Sequence, residues 1–214
     1  MMDPKMALPA KANAAVSSGT RSLNARVGAV GLALGAFATL LLSHTSASLA
    51  PLRLLALAAL AFAAWCFCDE MGLRKPLNRA GFVFFAIAVG AKVQLILGVE
   101  DNYVGRYYLL YSAFLLVALL LWSVAFLHRQ RTLKIVGAVG VIASLAPIAV
   151  LIVGHIAVGA GAFLGVRAML AAAQGAGPVD HSFATLVERV FGLWGYAAAW
   201  LLWRGHIQAQ RALD

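Results

Sequence analysis

Residues 80–99, AGFVFFAIAVGAKVQLILGV, form a run of twenty residues that is apolar almost throughout, yet it carries Lys92 and Gln94. As an α-helix such a run rises about 30 Å, the thickness of the hydrocarbon core of a bilayer. The rest of the chain agrees with this stretch. It is 63% hydrophobic and 12% charged, whereas a water-soluble domain carries about 25% charged residues. So few charges cannot clothe a water-facing surface, so most of the surface must face lipid. The short alternating segments of a membrane β-barrel are missing, and the class is an all-α integral membrane protein. A lysine inside such a run is costly. It normally faces the interior of a bundle and marks a functional site.

The apolar runs predict a bundle of six transmembrane helices at 27–42, 52–71, 80–99, 103–127, 135–158 and 186–203. Residues 1–26 read as a disordered cytoplasmic tail, 27–205 as the membrane domain and 206–214 as a second cytoplasmic tail. Pro51 suits the first turn of the second helix, where its missing N–H would be unpaired anyway. It also argues against reading 27–50 as a cleaved signal peptide, as does the long polar segment ahead of the apolar run. Asp101 or Asn102 can cap the fourth helix, and Thr185 with Glu188 has the spacing of a capping box at the start of the last. From 135 to 173 the apolar run is too long for one crossing; Pro147 and the glycines Gly154, Gly159, Gly161 and Gly165 are its break points. Residues 157–173 are expected to lie interfacial or re-entrant, with a seventh span as the alternative. No internal repeat points to an inverted-repeat transporter.

Lysine and arginine are the natural compass for such a chain. With six crossings, twelve of the 17 fall on one side: four in the N-terminal tail, three each in the loops around 74–79 and 129–134, and two after 203. Arg53, Arg106, Arg167 and Arg189 fall on the other, and Lys92 lies within a span. The bias predicts N- and C-termini in the cytoplasm of a bacterial-type inner membrane. Scattered in short loops, these charges do not make the continuous patch that nucleic acid would need, despite a net charge of +9.

Six crossings put Lys92, Gln94, His44, His155, Glu188 and the tyrosines of the fourth helix in one half of the membrane. Lys92, Gln94, Tyr107, Tyr111, His155 and Glu188 are the candidate ligand-binding residues of an outward-facing polar pocket. Each has a plainer reading. Lys92 can run its stem to the interface or pair structurally with Glu188, Glu100 or Asp101. Glu188 can serve as a helix cap, and Gln94 can bond a neighbouring helix. Tyr103, Tyr107, Tyr108 and Tyr111 can be belt residues at headgroup depth. Tyr107 with Tyr111, or Tyr108 with Tyr111, shares a helix face. Gly31 and Gly35, four apart, and the ridge Ala157, Gly161 and Gly165 are candidates for close helix packing.

Cys66 and Cys68 point to different helix faces, so they read as small apolar residues rather than a disulfide or metal pair. No His-x-x-x-His or His-Glu-x-x-His occurs, so no metal site is expected. Haem b between His44 and His155 is the single cofactor alternative; otherwise none is implied. There is no nucleophile elbow and no phosphate-binding loop, and a catalytic residue is not expected. The functional expectation is a binding or transport subunit for a small ligand around Lys92. The alternative is a non-catalytic structural or regulatory subunit of a larger membrane complex, and third comes an intramembrane enzyme or haem protein. The small size and the glycine ridges suggest a membrane-protein partner or a homo-oligomer, with the lipid bilayer as surroundings.

Overall fold

The structure, a computed structural model, describes residues 23, 25–38, 49–72, 75–98, 101–128, 131–158, 182–205 and 207. Its elements are α1 (Ala25–Ala38), α2 (Ala50–Met71), α3 (Pro76–Leu97), α4 (Asp101–Leu127), α5 (Arg131–Val158) and α6 (Ser182–Trp203). Helix is the form in which an apolar chain pairs its own backbone groups without water. The breaks fall where the local chemistry ends a helix. Gly72 and Gly98 follow α2 and α3 with φ of 87° and 86°, a conformation that favours glycine, and Pro76 opens α3. Asn78 closes the α2–α3 hairpin. Its side-chain amide donates to the carbonyl oxygens of Met71 at 2.9 Å and Gly72 at 3.2 Å, which the end of α2 leaves without helical partners.

The helix α4 is the centre of the bundle. It packs along α3 most extensively, then along α5, and also meets α6; α2 packs on α3, and α5 on α6. Its Trp122, 1% exposed, binds the layers together. The indole meets Phe67 of α2 edge-on at 5.5 Å, lies 5.6 Å from Phe85 of α3, and stacks on Trp194 of α6 at 5.9 Å. Such ring pairs contribute about 0.5–1.5 kcal/mol each beyond the area they bury. The Trp194 indole N–H finds no acceptor among the described residues, at a cost of about 1–3 kcal/mol, while that of Trp122 has the Cys68 sulfur beside it.

Glycines make room for these rings. A Cβ on Gly81 would stand 2.6 Å from the Trp122 indole nitrogen. One on Gly140 would stand 2.6 Å from the nitrogen of Trp194, and one on Gly137 would stand 2.7 Å from the backbone oxygen of Ser123. On the other flank α1 lies against α2 in the same manner: Gly28 faces Cys66, Gly31 faces Ala63 and Gly35 faces Leu60. Of the residues singled out for packing, Ala157 lies in α5 outside the described side chains, and Gly161 and Gly165 lie outside the described residues. Beyond residue 158, so does the stretch expected to be interfacial, re-entrant or a seventh span.

The six-span expectation is overturned. Among the described residues four helices are long and apolar enough to cross a membrane: α2, α3, α4 from Tyr103, and α5 as far as Ala149. The helix α1 is a shorter apolar one among the described residues; the 14 described residues rise about 21 Å. The helix α6 has the length, at 22 residues, but not the composition. Glu188 and Arg189 stand side by side in it, Ser182 and Thr185 open it, and Trp194, Tyr196, Trp200 and Trp203 have polar edges. It is the most amphipathic of the five long helices. The loop-by-loop charge count assumed six crossings, so the assignment of both termini to the cytoplasm falls with it.

The glycine contacts predict a contrast within one protein. Gly140→Ala should destabilise by about 1–3 kcal/mol, because the rigid Trp194 ring cannot step aside. Gly90→Ala, with no atom within 4 Å of the added carbon, should be neutral or stabilise by up to ~1 kcal/mol. Thermal unfolding in one detergent measures both, and equal behaviour of the two variants would contradict the packing described.

Candidate functional site

The antiparallel run of the helices brings the end of α1, the start of α2, the end of α3, and the starts of α4 and α6 to one end of the bundle. A pocket lies there, lined by Ala38, Arg53, Leu57, Leu95, Ile96 and the polar group of Lys92, Tyr108, Tyr111 and Glu188. It holds about 540 Å³, counting the space at its open side. A narrower apolar crevice of about 290 Å³ continues inward between Leu60, Phe85, Leu115 and Phe191. Leu57, Tyr111 and Glu188 line both spaces.

The centre of this pocket is an ion pair. Lys92 Nζ donates to Glu188 Oε1 at 2.5 Å. The side chains are 15% and 5% exposed, so both charges are largely removed from solvent. The ammonium also lies 4.8 Å from the ring centre of Tyr111 and 5.8 Å from that of Tyr108. A ring face attracts a cation through its quadrupole, more strongly where water is excluded. The carboxylate answers the charge and the rings shield it. Lys92 stands about a turn and a half before the end of α3, so its stem could also have carried the charge to the interface. It turns inward to Glu188 instead.

The pair also has a structural consequence. The backbones of α3 and α6 hardly approach each other. They are joined by Lys92 with Glu188 and, deeper, by Phe85 stacked on Phe191 at 5.7 Å. A buried ion pair loses the hydration of both ions, and its attraction roughly repays that loss when the geometry is good. It adds little net stability, but breaking one side leaves the other charge stranded.

Of the residues singled out beforehand, the structure brings together Lys92, Tyr111 and Glu188. Gln94 is exposed and does not line the pocket. Tyr107 is half-buried and packs on the apolar core, while its neighbour Tyr108 takes the pocket face. The side chain of His155 lies outside the described ones, and His44 outside the described residues, so the haem alternative rests on positions beyond the description. Among the described residues no three His, Cys, Asp or Glu side chains group as metal ligands would. Tyr103, exposed and 5.5 Å from the Arg106 guanidinium, lies at the rim. Arg53 was missed, having been counted only as a charge on one side of the membrane. Its signal was positional: it follows Pro51 into α2 at the end where α3 finishes and α6 begins.

No family model matches this chain, and no curated protein or solved structure matches it. The fold and composition establish a polytopic, mostly helical membrane protein.

The ion pair predicts a non-additive mutational pattern. Lys92→Met should cost about 3 kcal/mol, the lower end of the range for breaking a buried pair, since Lys92 keeps some exposure. The double variant Lys92→Met, Glu188→Met should recover most of that loss. A double-mutant cycle on thermal stability in detergent measures the coupling; additive losses would show that the two charges do not act as a unit.

Proposed function

We propose that this membrane protein is a binding or transport subunit for a small ligand carrying an ionised group. The single observation that carries this reading is the charged pair of Lys92 and Glu188 at the wall of an open pocket. Charges are placed at membrane depth at a cost, and bundles retain them chiefly along substrate and ion paths. Lys92 supplies a cation, Glu188 an anion, Tyr108 and Tyr111 two hydroxyls and two ring faces, and Arg53 a second cation at the mouth. An ionised ligand group exchanges with one member of the pair, so that no charge is stranded during entry. A convergent set of polar groups in a mostly apolar concavity is the usual form of a small-molecule site.

A second reading, a non-catalytic structural or regulatory subunit of a larger membrane complex, is favoured by the closure of the pair. The ammonium already has a carboxylate and two rings as neighbours. On this reading Lys92 and Glu188 tie α3 to α6, and the protein acts through partners or as a homo-oligomer.

Native mass spectrometry of the protein in mild detergent, with an absorbance spectrum of the same sample, separates the two. The ligand reading expects a bound small molecule that is lost in Arg53→Gln and in the double variant Lys92→Met, Glu188→Met while the unfolding temperature of Arg53→Gln stays near wild type. A ligand-free protein with stoichiometric protein partners would overturn it in favour of the subunit reading. A small molecule retained equally in every variant would show that it binds elsewhere.

A further inference from the structure

The end of the bundle opposite the pocket carries a different kind of surface. It collects the start of α1, the ends of α2, α4 and α6, and the starts of α3 and α5. Among the described residues six cations are exposed there: Arg26, Lys75, Arg79, Arg131, Lys134 and Arg204. The acids described nearby, Asp69 and Glu70, are half-buried and buried, so the outer surface of this end is basic. At the pocket end Arg106 and Arg189 are exposed, while Arg53 and Lys92 are half-buried.

Two of the six cations are held in a particular way. Trp200 and Trp203 stand three residues apart on α6, 48% and 56% exposed. The guanidinium of Arg204 lies 6.0 Å from the ring centre of Trp200, and that of Arg26, reaching over from α1, lies 5.8 Å from the ring centre of Trp203. The last turn of α6 closes at this level, where Gly205 takes a φ of 71° and its N–H bonds the Leu202 carbonyl oxygen at 3.1 Å. Exposed indoles favour the depth where hydrocarbon meets headgroups, because one side of the ring is apolar and the other wet. A guanidinium beside the indole is then at phosphate depth, and its fork matches phosphate oxygens.

We infer that the Arg26, Trp203, Trp200 and Arg204 cluster is a binding site for the headgroup of an anionic phospholipid, set in a basic rim that favours an anionic leaflet. A basic rim attracts anionic headgroups over a short range, and the paired indoles fix the depth at which they are met. The inference is independent of the pocket at the other end.

The test is lipid selectivity. The full chain is placed in nanodiscs of phosphatidylglycerol and phosphatidylcholine with matched acyl chains, and the lipids retained on release are counted by native mass spectrometry. Wild type should retain phosphatidylglycerol above its share of the bilayer. Arg26→Gln and Arg204→Gln should each lower that enrichment by up to about fivefold, the double variant the most, whereas Arg106→Gln with Arg189→Gln, exposed charges at the pocket end, should leave it nearly unchanged. No enrichment in wild type, or an equal loss in both double variants, would overturn the site. All four arginines are exposed, so the variants should fold, and unchanged unfolding temperatures check it.

Discussion

Trp122 of α4 meets rings from three other helices, α2, α3 and α6, and glycines clear the space for it. Gly81 clears its edge on α3, and Gly140 clears the Trp194 ring on which it stacks. In lipid the hydrophobic effect gives helices no reason to associate, since acyl chains are as apolar as leucine; close packing and polar contacts must supply the attraction. Trp122 with Phe67, Phe85 and Trp194 supplies it at mid-bundle, and the glycine contacts of α1 on α2 supply it at the flank. The central place of α4 follows from this cluster.

The ion pair of Lys92 and Glu188 is possible because that core is already set. Phe85 stacked on Phe191 brings α3 and α6 within side-chain reach without bringing their backbones together. Above the stack a gap remains, and the pair with the two tyrosines lines it. Stability and candidate site thus share one cause: the helices are close where glycine and aromatic residues alternate, and apart where the charges sit. The two ends of the bundle differ accordingly. One gathers Lys92, Glu188 and Arg53 around a pocket, and the other displays its cations outside with exposed tryptophans.

Much of the helix pattern was legible in the sequence, because apolar runs bounded by Gly, Pro and charges are local signals. The end of α2 at Met71, before Gly72, and of α4 at Leu127 are such cases. The number of crossings was not, because counting treated every apolar run alike. In α6 the adjacent Glu188 and Arg189 and its polar-edged aromatic residues mark a helix with two unlike faces. At the site, Lys92 and Glu188 both stood out as charges in apolar surroundings. The choice between Tyr107 and Tyr108 did not, since each shares a face with Tyr111 and helical spacing alone cannot rank them. Gly81, Gly137 and Gly140 passed unnoticed because a glycine's neighbours across a helix interface are far away in the chain.

The amino-acid sequence by itself determined the membrane class, the position of the long apolar helices and the presence of a lysine within one of them. These depend on composition and on periodicity over a few turns. Only the tertiary structure decided that Lys92 turns to Glu188, 96 residues away in the chain, with Tyr108 and Arg53 beside it. A pairing across that separation depends on which helices are neighbours. That in turn depends on where glycines let rings interlock, a property of two surfaces in contact that no single segment carries.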